Sequence, residues 1–230
     1  MDRYGLPDSY ATNLDADGQP LVYEDSPRNA ATMQVAVYRH LARLIRRHNF
    51  KSVLDIGCGL GVKLDKYIAP LTTDITGVDG PHCVNHCRQT YLFGKWVTDD
   101  IECPVRRLDR TFDVILAADV IEHLLDPEKL IAYARELAHK DTVMLISTPD
   151  REKIYAPGTK PLNGPPENRT HVREWTGAEL KGFLAKLDLE ILDQRWVESK
   201  RPKGVLARVF GAQGPAQTQL ITAKFKNLPA

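Results

Sequence analysis

The sequence lacks a long hydrophobic run. Of its 230 residues 43% are hydrophobic, yet no apolar stretch approaches the roughly 20 residues a membrane-spanning helix needs. The first residues, Met1-Asp2-Arg3-Tyr4-Gly5, show no apolar leader segment. A cytoplasmic location is the expectation. An excess of one charge is missing too. Lys and Arg number 31 against 30 Asp and Glu, for a net charge of +1. That removes the electrostatic case for bulk nucleic-acid or anionic-membrane binding and leaves room for a local basic patch. Cysteine is scarce. The four residues Cys58, Cys83, Cys87 and Cys103 form no disulfide framework, so reduced thiols are expected. There are no internal repeats, no linker of shifted composition and no signal of an oligomeric state. One soluble globular domain with appendages fits the length and the 27% charged content.

What is present divides at about residue 27. Residues 1–27 are polar and turn-rich, with Pro7, Gly18, Pro20 and Pro27 and scattered Tyr4, Tyr10 and Tyr23. They read as an irregular arm, either packed over a site or loosely ordered. Residues 28–230 read as the domain. Val35, Val37, Tyr38, Leu41, Leu44 and Ile45 recur at helical spacing within a helix over 29–48. Strands and helices then alternate, as expected of a parallel α/β sheet. Strands are expected at 52–56, 74–79, 95–97, 112–117 and 142–147, with helices at 62–69, 81–92 and 127–139. A Pro/Gly-dense loop covers 149–170, a helix 177–187, and closing strands 190–196 and 219–225 flank a basic connection at 198–218. The expected fold is a doubly wound, seven-stranded, mostly parallel sheet with a C-terminal antiparallel strand pair.

The densest signal is Val53-Leu54-Asp55-Ile56-Gly57-Cys58-Gly59-Leu60-Gly61. A buried strand ends in a glycine turn and a helix follows, which is the nucleotide-binding corner of a doubly wound sheet. Dinucleotide sites use G-x-G-x-x-G with the pyrophosphate on a helix N-terminus. Here the spacing is G-x-G-x-G, and Asp55 stands two residues before the first glycine. A carboxylate suits a cationic ligand end better than a pyrophosphate. This motif resembles the first motif of class I S-adenosylmethionine-dependent methyltransferases.

The resemblance covers about residues 50–190 and distributes roles along the sheet edge. It implies that S-adenosyl-L-methionine is held by Asp55, Gly57, Cys58 and Gly59. Asp79 at the end of the second strand, with Gly80 beside it, takes the ribose hydroxyls. Asp100 meets the adenine amino group and Ile101 packs on the ring, with Asp99 as the neighbouring register. Ala118 and Asp119 border the methionine portion.

Chemistry points to Asp119-Val120-Ile121-Glu122-His123. Read as one helical turn, it places Asp119, Glu122 and His123 on one face. His171 follows the long loop, in His171-Val172-Arg173-Glu174-Trp175-Thr176. One reading makes His123 or His171 a general base for an acceptor hydroxyl, with Glu122 beside it. A second makes Asp119, Glu122, His123 and His171 ligands of a divalent cation that lowers the acceptor pKa. The pattern is similar to small-RNA 2′-O-methyltransferases, in which the two acidic residues and two histidines bind metal, though Asp119 is shorter than the family's Glu. In a third reading these residues line the pocket or cap a helix. His82, Cys83, His86 and Cys87 lie at zinc-like spacing, but one helix does not easily supply four ligands, so they read as an ordinary helix flank. Arg151, Lys153, Lys160, Arg169 and Arg173, with Lys200, Arg201, Lys203 and Arg208, form either a lid for an anionic acceptor group or solvated surface. The resulting expectation is O-methylation of a sugar or other small hydroxylated acceptor. A small-RNA or nucleotide 2′-O-methyltransferase and a non-catalytic S-adenosylmethionine-binding protein are the alternatives.

Overall fold

The computed structural model describes residues 2–23, 25–105, 108–155, 163–199 and 216–228. Helices α1 (Pro27–Thr32) and α2 (Val35–His48) precede strand β1 (Ser52–Ile56). Then come β2 (Asp74–Asp79), α3 (Pro81–Thr90), β3 (Lys95–Thr98), β4 (Phe112–Ala118), α4 (Pro127–Glu136) and β5 (Ala138–Pro149). The short α5 (Arg151–Ile154), α6 (Gly177–Lys186), β6 (Leu189–Glu198) and β7 (Ala216–Phe225) complete the chain.

The seven strands form one sheet in the order β3-β2-β1-β4-β5-β7-β6. The first five are parallel; β7 runs antiparallel to both β5 and β6. The order reverses between β1 and β4, which opens a crevice at the carboxyl ends of those strands. All five residues of β1 are buried. Such a strand has helices on both faces and loses the polar alternation of a half-exposed one. Leu54, Ile56, Ile115 and Ile146 pack with Leu130 and Ile131 of α4 and Leu180 and Phe183 of α6. Val53, Val114, Leu116 and Leu145 face the other way, onto Val37 and Leu41 of α2 and Val84 of α3.

The helix starts follow from local chemistry. Pro81 and Pro127 occupy first-turn positions, where a missing N–H costs nothing. Asp126 caps α4, and Thr176 with Glu179 forms a reciprocal capping box on α6.

Several boundaries differ from the sequence expectation. The helix expected over 29–48 breaks at Met33–Gln34, because Gln34 adopts a left-handed conformation at φ 55°. The helix expected at 62–69 is largely one π-helical turn, Leu64–Ile68. Strand β5 begins at Ala138 rather than 142, since Ala138 already pairs with Phe112 across a bulge. The loop expected at 149–170 opens with α5, and Asp150 bridges to Trp175. Asp119 to His123 is not one helical turn. Asp119 sits at φ 54°, and a single 3₁₀ turn covers Ile121–His123. The arm is anchored at its start. Leu6 is buried in the core against α6, and the Trp175 indole N–H donates to the Tyr4 carbonyl at 3.0 Å.

Candidate active site

A cavity of about 800 Å³ lies at the carboxyl ends of β1, β2, β3 and β4. Gly57, Cys58, Gly59, Asp79, Gly80, Asp100, Ile101, Ala118, Asp119 and His123 all line it. Parallel strands ending together bring these residues to one edge although the chain separates them widely.

Asp55 is not among the lining residues. It is fully buried beneath the glycine turn, where the Tyr38 hydroxyl donates to its Oδ2 at 2.7 Å and its Oδ1 has no partner among the described residues. Burial pushes this carboxyl up to about 7, against the opposing Tyr38 hydrogen bond and the charge of Lys63. Asp79 does reach the cavity. Its Oδ2 accepts the Gly59 N–H at 2.8 Å and its Oδ1 the Gly80 N–H at 2.7 Å. Burial raises its pKa while those two N–H groups hold it down. Asp99 and Asp100 both line the cavity, but Asp99 is buried and accepts the N–H groups of Asp100 and Val105. Asp100 is exposed and accepts only locally, from the N–H of Glu102.

Beside β4 a second group assembles. Potential ligand atoms of Glu122, His123 and His171 lie within 4.8 Å of one another. Asp119 is outside this set. Its carboxylate accepts Ser147 Oγ–H at 2.6 Å and Gln34 Nε2–H at 3.1 Å. The left-handed backbone at Asp119 explains the separation from the turn that follows. Glu122 is fully buried. Among the described residues neither of its oxygens has a partner of full hydrogen-bonding geometry, although the Thr148 hydroxyl comes close enough to oppose the rise in its pKa. Burial first, then the Asp119 charge, raises its pKa well above the usual range.

The two histidines differ in what they have left to offer. His123 Nδ1 lies 2.8 Å from the Thr170 carbonyl. A carbonyl only accepts, so Nδ1 carries the proton and Nε2 keeps its lone pair. Burial, then the neighbouring His171, lowers its pKa to about 4. His171 is engaged at both nitrogens. Nδ1 meets Glu174 Oε1 at 2.7 Å, and Nε2 meets Asn168 Nδ2 at 2.8 Å. Asn168 Oδ1 already accepts the Thr170 N–H, which fixes that amide's orientation. The rings of His123 and His171 meet edge-on at 4.8 Å, and Tyr23 from the arm lies 5.3 Å from His123.

Sequence reasoning missed part of the lining. Pro20, Val22, Tyr23 and Asp25 from the arm, Asn29 and Met33 from α1 and its cap, Gln34, and Lys63 after the glycine turn all face the cavity. The scattered tyrosines of the arm were the available signal for the roof. Lys63 carried none, because a lysine at a helix start reads as solvent-facing.

The loop cations divide as well. Arg151 and Arg173 are buried. Arg173 donates to the Leu124 and Leu125 carbonyls at 2.8 and 3.1 Å, so it clamps the turn after His123 rather than serving a lid. Arg151 pairs with Glu179 at 2.6 Å. Lys153 and Arg169 are exposed. Lys160, Lys200, Arg201, Lys203 and Arg208 lie outside the described residues. Among the described residues no helix is long and apolar enough to cross a membrane.

Residues 30–194 match the model of a family described as methyltransferase domain. A probable S-adenosylmethionine-dependent methyltransferase of Mycolicibacterium smegmatis is 31% identical over 153 residues, covering 66% of this chain and 56% of that protein. A ubiquinone biosynthesis O-methyltransferase of Coxiella burnetii is 32% identical over 111 residues, 46% of this chain and 47% of its own length. The chain spans about half the length of these curated relatives. Among solved structures, a glycopeptide N-methyltransferase complexed with S-adenosyl-L-methionine superposes with a TM-score of 0.60 at 14% identity. That match covers 84% of this chain and 87% of that one.

Proposed function

The chain belongs to the class I S-adenosylmethionine-dependent methyltransferase family, and from that premise we propose that it methylates a hydroxyl oxygen of a sugar or other small hydroxylated acceptor. The observation that carries this reading is one continuous cavity with Asp79 and His123 among its walls, the His123 ring holding its proton on Nδ1 against the Thr170 carbonyl. In this reading Asp79 and Asp100 receive the ribose and adenine, and Gly57, Cys58 and Gly59 border the methionine portion. Asp55 supports the turn from below through its hydrogen bond with Tyr38. The Coxiella relative, a ubiquinone biosynthesis O-methyltransferase, agrees with an oxygen acceptor.

Methyl transfer needs alignment of the acceptor oxygen behind the methyl carbon and an outlet for one proton. The S–CH₃ bond breaks as the O–CH₃ bond forms, leaving a neutral thioether. His123, neutral at pH 7, accepts a hydrogen bond from the acceptor hydroxyl at Nε2 and takes the proton as the new bond forms. Its Nδ1–H bond to Thr170 holds the ring in that tautomer.

A divalent cation would draw on the two unpartnered oxygens of Glu122 and on Nε2 of His123. His171 fits such a set only after Asn168 releases its Nε2, and Asp119 is held away by Ser147 and Gln34. The donor set is therefore half prepared for metal, and proton acceptance by His123 is the reading the hydrogen bonds favour.

Calorimetry with S-adenosylhomocysteine, followed by transfer of labelled methyl groups to a panel of hydroxylated acceptors with and without chelator, tests both. Turnover that survives chelation supports His123 acting alone. Turnover lost to chelation and restored by a divalent metal supports the cation. An absence of cofactor binding overturns the proposal.

A further inference from the structure

Five carboxylates line the cavity: Asp25, Asp79, Asp99, Asp100 and Asp119. Against them stands a single Lys or Arg among the described lining residues, Lys63. It is 7% exposed, and its Nζ donates one hydrogen bond, to the Ala30 carbonyl at 3.2 Å. An ammonium group has three N–H donors, so two remain uncommitted among the described residues. The carboxylates that act on it most are those of Asp25, Asp55 and Asp119, with the Tyr38 ring 5.3 Å from Nζ. Among the described residues, none of these carboxylates pairs with it within 4 Å.

A buried cation with unused donors is costly unless something anionic completes it. Burial lowers the pKa of Lys63, which expresses the same cost. The cofactor's charges supply the match. S-adenosylmethionine carries two cationic centres, the sulfonium and the α-ammonium, and one anion, the α-carboxylate. An acidic cavity suits the first two. Among the described lining residues, Lys63 is the one Lys or Arg side chain that can meet the carboxylate.

We propose that Lys63 anchors the α-carboxylate of the cofactor and so selects for an intact amino-acid tail. The inference rests on the cofactor reading above. It also sets the cofactor's direction: the tail points to Lys63 beside the glycine turn, and the purine points toward Asp100. Two N–H donors on one carboxylate would satisfy the ammonium and fix the tail, which in turn places the sulfonium methyl group.

The experiment compares two thioethers by calorimetry. S-adenosylhomocysteine has the amino-acid tail; 5′-methylthioadenosine has the same purine, ribose and sulfur without it. For Lys63→Met, affinity for S-adenosylhomocysteine is expected to fall at least tenfold, and affinity for 5′-methylthioadenosine to change less than twofold. Equal loss for both ligands, or no loss for either, overturns the anchor. A measurement on the wild-type protein alone covers the event that Lys63→Met does not fold. The adenosyl thioether bearing a 3-aminopropyl group keeps the amine and lacks the carboxylate, and it should bind at least tenfold more weakly than S-adenosylhomocysteine. Equal binding of those two overturns the proposal while leaving the cofactor reading intact. Wild-type protein that binds none of the three overturns the cofactor reading, and the role of Lys63 with it.

Discussion

The hydroxyl of Tyr38 on α2 donates to the buried Oδ2 of Asp55 on β1 at 2.7 Å, tying the helix that follows the arm to the strand that carries the glycine turn. Tyr38 is 1% exposed and Asp55 is not exposed at all. Tyr38→Phe leaves both carboxyl oxygens without a partner, since Oδ1 has none already. The expected cost is about 1–3 kcal/mol of stability, read by chemical denaturation.

Asp55 also gives the fold a pH dependence. Its carboxyl is held at about 7 in the folded protein against an ordinary value of 3.8. The folded state therefore binds more protons than the unfolded state between those values, and stability falls as pH rises through that window. Asp55→Asn removes the ionisation and should flatten the denaturation midpoint between pH 4 and 7. Above pH 7 the variant is expected to exceed the wild type by on the order of a few kcal/mol, less any loss from the altered Tyr38 contact. A variant with the wild-type slope would show that the slope arises elsewhere.

Two glycines of the turn separate stability from binding. A Cβ on Gly57 would lie 2.4 Å from Cγ2 of Val120, with φ at 76°. Both steric overlap and left-handed strain oppose Gly57→Ala, so a loss of about 1–3 kcal/mol is expected, seen as a lowered melting temperature. On Gly59, at φ 54°, the Cβ would meet the Asp25 carboxylate at 2.6 Å. That side chain belongs to the arm and can swing aside. Gly59→Ala is expected to cost less stability than Gly57→Ala but to weaken S-adenosylhomocysteine binding more than tenfold, measured by calorimetry. Restoration of binding in the double variant with Asp25→Ala would identify the arm contact as the cause.

The loop that carries His171 depends on a buried ion pair. Both Nη atoms of Arg151 meet Glu179, at 2.6 Å, and the Glu179 carboxylate also closes the capping box of α6. The two side chains are 4% and 10% exposed. Glu179→Ala leaves a buried cation unpaired and should destabilise by about 3–5 kcal/mol, whereas Glu179→Gln keeps the cap and should cost less. For a chain of this size the first corresponds to a fall in melting temperature of roughly 10 °C.

The elements legible in the sequence were those set by pattern. Strands β1, β2 and β4 announced themselves as short apolar runs ending in Gly or Asp, and the cavity residues followed because each sits where such a run stops. Three things were not legible, for physical reasons. Gln34 and Asp119 take left-handed backbone conformations that are held by tertiary partners: the Gln34 side chain donates to Asp119, and Ser147 donates to the same carboxylate. Periodicity records helical faces and says nothing of such hydrogen bonds across the fold. Lys63 is buried through the closure of α1 and the arm over the cavity, and no local spacing carries that information. His171 is paired with Glu174 three residues on and with Asn168 three residues before. That contact pattern is compatible with a base, a ligand or a brace until the geometry shows both nitrogens engaged.

Among the described residues Nε2 of His123 has no partner, whereas both nitrogens of His171 are engaged. His123→Ala should lower kcat by about 100-fold or more while leaving the affinity for S-adenosylhomocysteine within twofold. The pKa of His123 lies near 4 in the folded protein, below the ordinary 6.5. Two consequences follow with opposite readouts. The wild-type rate should show no inflection near pH 6.5 from this group, because the ring is already neutral there. The unfolded state binds the extra proton between pH 6.5 and 4, so this group makes stability fall as pH falls through that range. His123→Gln removes that contribution and should lessen the acid loss by roughly 1–3 kcal/mol, measured by denaturation at pH 7 and pH 4.5. A rate inflection near 6.5 that disappears in His123→Gln would instead show that the ring titrates as an exposed histidine does, and would remove the basis for its neutral, acceptor-facing nitrogen.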